Sequence, residues 1–223
     1  MKKYIIASSR EWFSKSEKIA QFSKLDVVSI KNKEELNLSY INQIKPRFIF
    51  FPHWNWIVPK EIYEAYECIV FHTAPLPYGR GGSPIQNLII RNFETAPVCA
   101  IRMNEVLDGG PIYRSLEVSL SGSCEEIFER IAIAVQRIIV DIIENEPEPV
   151  PQIGEPTYFK RRIPEESRLP ESGIVHDIYN HIRMLDAEGY PNAFIEYGNL
   201  KMEFTEAVEE SDCIKATVII KIK

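Results

Sequence analysis

A histidine, His72, ends the apolar run "CIVFH" (68–72), and a loop rich in proline and glycine, "TAPLPYGRGGS" (73–83), follows it. An aspartate, Asp108, stands 36 residues further on (108 − 72), on a Gly-Gly turn within "VLDGGPI" (106–112). An imidazole beside a carboxylate suits proton handling during group transfer, because the carboxylate fixes the ring and raises its basicity. The gap fits one helix plus one strand, which predicts that the two residues converge at neighbouring strand ends. Gly79, Gly81 and Gly82 predict backbone amides close to a ligand, with Arg80 as a side-chain contact. Ser83 stands as an N-cap and Pro84 as the first residue of a helix over 84–92.

Two other groups follow apolar runs. Ser8, Ser9 and Arg10 offer hydroxyls and a guanidinium to an anion, or else cap a helix. "HWNW" (53–56) either packs in the interior or forms a flat wall for an aromatic ring, with Asn55 or the backbone supplying hydrogen bonds.

The elements that must position these residues alternate. Short runs rich in β-branched and aromatic residues, "YIIA" (4–7), "DVVSI" (26–30), "RFIFF" (47–51) and "CIVFH", are separated by helical segments at 14–24, 33–44 and 59–67. Strands apolar on both faces between helices predict an α/β fold with a doubly wound, mostly parallel, Rossmann-like sheet. Ligands bind such sheets beyond the carboxyl ends of the strands. "VCAIRMN" (98–104) and "PIYRSLEVSL" (111–120) add two strands. The longest helix starts after Ser123, with Glu126 completing a capping box and Ile127, Ile131, Val135, Ile138 and Ile142 on one face. A proline-rich stretch, 144–156, is the candidate linker. It divides residues 1–156 from a small C-terminal module, 157–223. That module reads as a helix near 173–187 and three antiparallel strands at 193–198, 200–208 and 213–223. The last strand is either a homodimer edge or simply the end of the sheet.

Composition narrows the classes. Of 223 residues, 45% are hydrophobic and 26% charged, the range of a globular protein. No run is long enough for a membrane span, and the N-terminal stretch reads as a strand, which points to the cytoplasm. The net charge of −6 disfavours a nucleic-acid partner, and "YFKRR" (158–162) is a solvated turn or a phosphate contact. Cys68, Cys99, Cys124 and Cys213 lie far apart, as buried thiols rather than disulfides or metal ligands.

"FHTAPLPYGRGG" followed by "EVLDGGPIYR" resembles the active-site signature of the folate-dependent formyltransferase family, which includes methionyl-tRNA and sugar N-formyltransferases. "YFKRRIPEES" and "IRMLDAEGYPNAFIEYGNLKMEF" extend the resemblance over nearly the whole chain. It implies His72 and Asp108 as catalytic residues, 10-formyltetrahydrofolate as formyl donor, and no metal. The pterin would lie against Trp56, Ile57, Val58, Arg102, Met103, Asn104, Glu105 and Val106. An amine acceptor would face Ser8, Ser9, Arg10, Thr73, Tyr78, Gly79, Arg80, Gly81, Gly82, Ser83 and Phe159. One position departs. The family asparagine that helps hold the formyl oxygen is Val70 here, so either Asn55 or Asn104 takes its place or the chain does not catalyse the transfer. Asn55 joins the catalytic set on that ground. "YGRGGSPIQNLI" resembles the subgroup of pseudaminic acid-type pathways, which implies a UDP-linked 4-amino-4,6-dideoxy sugar as acceptor. The alternatives are a methionyl-tRNA-type acceptor, a hydrolase releasing formate, and a non-catalytic folate or nucleotide-sugar binding protein.

Overall fold

The computed structural model describes residues 2–223. The first part runs β1 (Tyr4–Ser8), α1 (Glu11–Lys15), β2 (Val27–Ile30), α2 (Leu38–Ile44), β3 (Phe48–His53), α3 (Lys60–Ala65) and β4 (Cys68–Thr73). A two-residue strand β5 (Arg80–Gly81), α4 (Pro84–Ile89), β6 (Thr95–Arg102), β7 (Ile112–Ser119) and α5 (Cys124–Asn145) follow. The chain ends with β8 (Tyr158–Phe159), α6 (Val175–Arg183), β9 (Ala193–Tyr197), β10 (Leu200–Glu209) and β11 (Ile214–Ile222).

Six strands form one sheet in the order β2-β1-β3-β4-β6-β7. The first four are parallel, whereas β6 and β7 each run antiparallel to their neighbours. Burial on both faces explains the unbroken apolar runs: Ile5, Ile49, Phe50, Phe51 and Ile69 are all fully buried. One face packs against α4 and α5, the other against α2 and α3. Ile127, Ile131, Val135, Ile138 and Ile142, the face expected for α5, are all buried. Its capping box forms as the sequence predicts, with Ser123 Oγ accepting from the Glu126 amide at 3.2 Å and Glu126 Oε2 accepting from the Ser123 amide at 2.8 Å. A three-stranded antiparallel sheet, β11-β10-β9, closes the chain and packs on α6. No helix is long and apolar enough to cross a membrane among the described residues.

Several local expectations are corrected. The helix over 14–24 shrinks to α1 and a single 3-10 turn, Phe22–Lys24. Serine hydroxyls bond back to carbonyls there, Ser14 to Glu11 at 3.0 Å and Ser16 to Phe13 at 2.7 Å. The Gln136 side chain then takes the Ile19 amide and the Glu17 carbonyl in place of helical partners. The helix over 33–44 breaks because Asn37 caps a new start, accepting from the Tyr40 amide at 2.9 Å. The helix over 84–92 stops at Ile89, and Asn92 turns to φ 61°. Cys213 is exposed, unlike the other three thiols, since it lies in the turn before β11. Burial pushes Cys68, Cys99 and Cys124 up to about 12, consistent with inert small hydrophobes.

The capping box gives a direct stability test. Ser123→Ala should destabilise the chain by about 1 kcal/mol, and Ser123→Asp should restore most of the loss. Urea unfolding midpoints measure both.

Candidate active site

His72 is the penultimate residue of β4, at the carboxyl end of the parallel strands, and is buried. Asp108 arrives by an unexpected route. Because β6 runs antiparallel to β4, Arg102 at its end pairs with Ile69, while Val98 pairs with Thr73. The two residues therefore do not come from strand ends on the same edge. Loop 103–110 must fold back to reach His72, and Asp108 sits in it at φ 49°. Its Oδ2 accepts from the Gly81 amide at 2.9 Å and lies 3.5 Å from His72 Nδ1. The ring is oriented from its other side. His72 Nε2 lies 2.8 Å from the Gly79 carbonyl, so Nε2 carries a proton and Nδ1 faces the carboxylate. The ring is thus faced on both sides, by the Gly79 carbonyl at Nε2 and, less closely, by the Asp108 carboxylate at Nδ1.

The glycine loop is also corrected. Its amides are engaged within the protein: Gly79 donates to Thr157 Oγ1 at 2.8 Å, Gly81 to Asp108, and Gly82 to the Phe159 carbonyl at 3.1 Å. The returning strand β8 runs beside β5, and a Cβ on Gly81, at φ 96°, would stand 2.6 Å from the Phe159 oxygen. Glycine is required here because backbone meets backbone. Arg80 is mostly buried and gives its Nε and one terminal nitrogen to Gln152 Oε1, at 3.1 and 2.7 Å. It is a brace rather than a free anion contact. Ser83 takes the N-cap position of α4 with Pro84 first in the helix, as the sequence predicts, but at φ 50° its side chain makes no cap bond; its Oγ accepts from the Arg162 amide at 3.1 Å. Tyr78 stacks on Phe93 and meets Phe159 edge-on, so both support the loop from behind.

Two cavities meet at Asp108, and His72 lines the second of them. The first, about 430 Å³, gathers all eight residues expected at the pterin, from Trp56, Ile57 and Val58 to the stretch Arg102, Met103, Asn104, Glu105 and Val106. Trp54, Tyr63 and Ile101 complete its aromatic and apolar wall. The second, about 570 Å³, holds His72, Thr73, Gly81, Gly82, Ser83 and Arg10. Gly79, Arg80, Tyr78 and Phe159 line neither. Ser8 lines a separate hollow near β2, and the Ser9 hydroxyl is taken up by His53 and Asn55 backbone groups. Phe51, Trp54, Asn55, Val70 and Asp108 line both cavities, so they form the partition between them. Asn104 lines only the first cavity, whereas Asn55 stands in the partition between the two.

Sequence reasoning missed part of the second cavity. Arg161, Arg162, His53 and Tyr190 line it, and Asp108 is the only acidic residue in that lining. The cluster "YFKRR" was the available signal for the two arginines. Arg10 Nε, Arg162 Nε and His53 Nδ1 are buried there without protein partners. Burial, then the Arg10 and Arg161 cations, push His53 down to about 4. Burial likewise pushes the Tyr190 hydroxyl up to about 12. No cluster of three metal-ligating side chains occurs among the described residues.

A family model, methionyl-tRNA formyltransferase C-terminal domain, matches residues 164–221. A methionyl-tRNA formyltransferase structure from Clostridium thermocellum is 40% identical, with each chain covered over 100% of its length and a TM-score of 0.93. The methionyl-tRNA formyltransferase of a Campylobacter jejuni strain is 30% identical over 80% of this chain, which spans 58% of that relative's length. A 4-N formyltransferase from Francisella tularensis shares the fold at 19% identity, covering 94% of this chain and 98% of its own, with a TM-score of 0.68. The chain belongs to the formyltransferase family.

The neutral His53 makes stability depend on pH. Its folded value, about 4, lies below the ordinary 6.5, so the unfolded chain binds the extra proton as pH falls. The stability tied to a neutral His53 is fully present above pH 6.5 and is lost as pH falls towards 4. Urea unfolding of the wild type and His53→Phe across this window should show the variant losing less stability on acidification.

Proposed function

We propose that this chain is an N-formyltransferase that moves a formyl group from 10-formyltetrahydrofolate to the amine of a nucleotide-linked amino sugar, a UDP-4-amino-4,6-dideoxy sugar in its most specific form. One observation carries the reading. Two cavities of different chemistry share a partition made of Asn55, Val70 and Asp108, with His72 beside it. Two ligands entering from opposite sides would meet where the titratable groups stand.

The first cavity suits a folate ring system: it is aromatic and apolar, and the buried Trp54 Nε1 on its wall has no protein partner. The second suits a phosphate-bearing acceptor, with three arginines against a single carboxylate. In this reading residues 1–156 hold the reacting groups, and 157–223 add Arg161, Arg162 and Tyr190 to the acceptor side. The formyl donor supplies an electrophilic carbonyl carbon. His72, held through Nε2 by the Gly79 carbonyl, turns its Nδ1 edge to the partition where the formyl oxygen gains negative charge. The Asn55 amide reaches the same partition and takes the part that Val70 cannot. The Asp108 carboxylate accepts the proton that leaves the attacking amine as the new nitrogen–carbon bond forms, and returns it to the folate nitrogen as the bond from that nitrogen to the formyl carbon breaks.

The 40% identical relative favours a second acceptor, methionyl-tRNA. Against it, the lysines of the C-terminal sheet are paired with glutamates: Lys201 and Lys221 with Glu203, Lys215 with Glu210, Lys223 with Glu196. A sheet so neutralised offers little to a phosphate backbone.

The protein should be incubated with 10-formyltetrahydrofolate and, separately, a panel of UDP-amino sugars, methionyl-tRNA, or no amine. Formylated sugar is the expected product; formylated methionyl-tRNA selects the second reading, and free formate without amine overturns both. His72→Asn and Asp108→Ala should each lower turnover by about 10²- to 10⁴-fold with the fold intact. Asn55→Ala should cost about a hundredfold in kcat, and near-normal kcat would remove Asn55 from the site.

A further inference from the structure

The route of loop 103–110 leaves an open question: what holds Asp108 in place after the chain has run away from His72 along β6. Inside the loop, the Gly109 amide bonds the Val106 carbonyl at 3.0 Å and the Val106 amide bonds Asn104 Oδ1. Neither contact reaches the rest of the fold. Asp108 takes φ 49°, a left-handed turn conformation open to aspartate, so where its carboxylate points depends on what fixes the turn from outside.

The Met103 amide ties the start of the loop to the Cys68 carbonyl at 2.8 Å and the Gly81 amide meets the carboxylate; the backbone of the turn itself is held by a residue in the proline-rich stretch. Gln152 Nε2 donates to the Asp108 carbonyl at 2.8 Å and to the Gly110 carbonyl at 2.9 Å. At its other end, Oε1 receives the two Arg80 bonds. A guanidinium only donates and a carbonyl only accepts, so the amide has one workable orientation. Among the described residues no carboxylate lies within 4 Å of the Arg80 guanidinium, which makes Gln152 its principal acceptor. A buried cation is thereby linked to the turn through a neutral amide.

The same stretch reaches His72. Five residues after Gln152, Thr157 Oγ1 receives the Gly79 amide, and the Gly79 carbonyl faces His72 Nε2. The stretch is itself tied down, because Val150 exchanges backbone bonds with Ile112 in β7, both at 2.8 Å.

We propose that Gln152 is a positioning residue for Asp108, and that segment 150–159 sets the geometry of Asp108 and His72 together. It rests on the formyl-transfer reading only for the claim that these two groups react. Gln152 acts through Asp108: its amide holds the turn from which the carboxylate projects towards Nδ1.

The test uses Gln152→Glu and Gln152→Ala in the full chain. Gln152→Glu keeps the length and the acceptor for Arg80 but points a carboxylate oxygen at two carbonyls that need a donor. The first readout is the ring ¹⁵N chemical shifts of His72 at fixed pH, assigned by their loss in His72→Asn. Both Gln152 variants should move them in the direction that Asp108→Asn moves them. The second is steady-state kinetics, where kcat should fall about ten- to a hundredfold while KM for both substrates stays within about threefold. His72 shifts that remain at wild-type values in both variants overturn the proposal, whether or not the protein transfers formyl. A rise in KM alone, with kcat retained, also overturns it. Moved shifts in a protein whose wild type transfers no formyl group support the positioning role and overturn the reaction reading instead.

Discussion

The antiparallel step from β4 to β6 is the constraint on which the rest of the site depends. A parallel continuation would deliver its loop at the same edge of the sheet as His72. Here β6 ends opposite Ile69, three residues upstream of the histidine, and everything that follows compensates for that reversal. Loop 103–110 folds back, the Gly81 amide receives the carboxylate, and the segment after α5 crosses over to hold the turn. That crossing in turn explains the glycines. Backbone from 159–161 lies directly against Gly81 and Gly82, where a Cβ would stand 2.6 Å from the Phe159 oxygen and 2.5 Å from Arg161 Cα.

Much of this fold was legible because its signals are local. Runs such as "YIIA" and "RFIFF" are apolar on every residue, so a sheet covered on both faces follows from pattern alone. The capping box at Ser123 and Glu126 lies within four residues, and the isoleucines of α5 repeat at helical spacing. Where tertiary contacts replace local bonds, the reading failed. Residues 17–19 are satisfied by Gln136, more than a hundred residues away, and nothing nearby in sequence announces it.

The site divides in the same way. His72 and Asp108 were visible through residue type, spacing and the motifs around them. The glycine loop was visible but misread, since glycine marks close approach without saying whether a ligand or another strand approaches. Arg80 was misread for a related reason: a guanidinium beside glycines looks free until the acceptor 72 residues later is known. Gln152 left no mark at all, being a single polar residue in a run that reads as a linker.

The crossing segment has a consequence for how errors propagate through the site. One stretch of about ten residues touches the Asp108 turn at one end and the Gly79 turn at the other, much as the bar of a caliper joins two jaws. A displacement of that stretch reaches both jaws at once, through the Gln152 bond to the Asp108 turn and the Thr157 bond to Gly79, while His72 itself stays seated in β4. Disturbances in this region are therefore correlated across the contacts of the carboxylate and the imidazole.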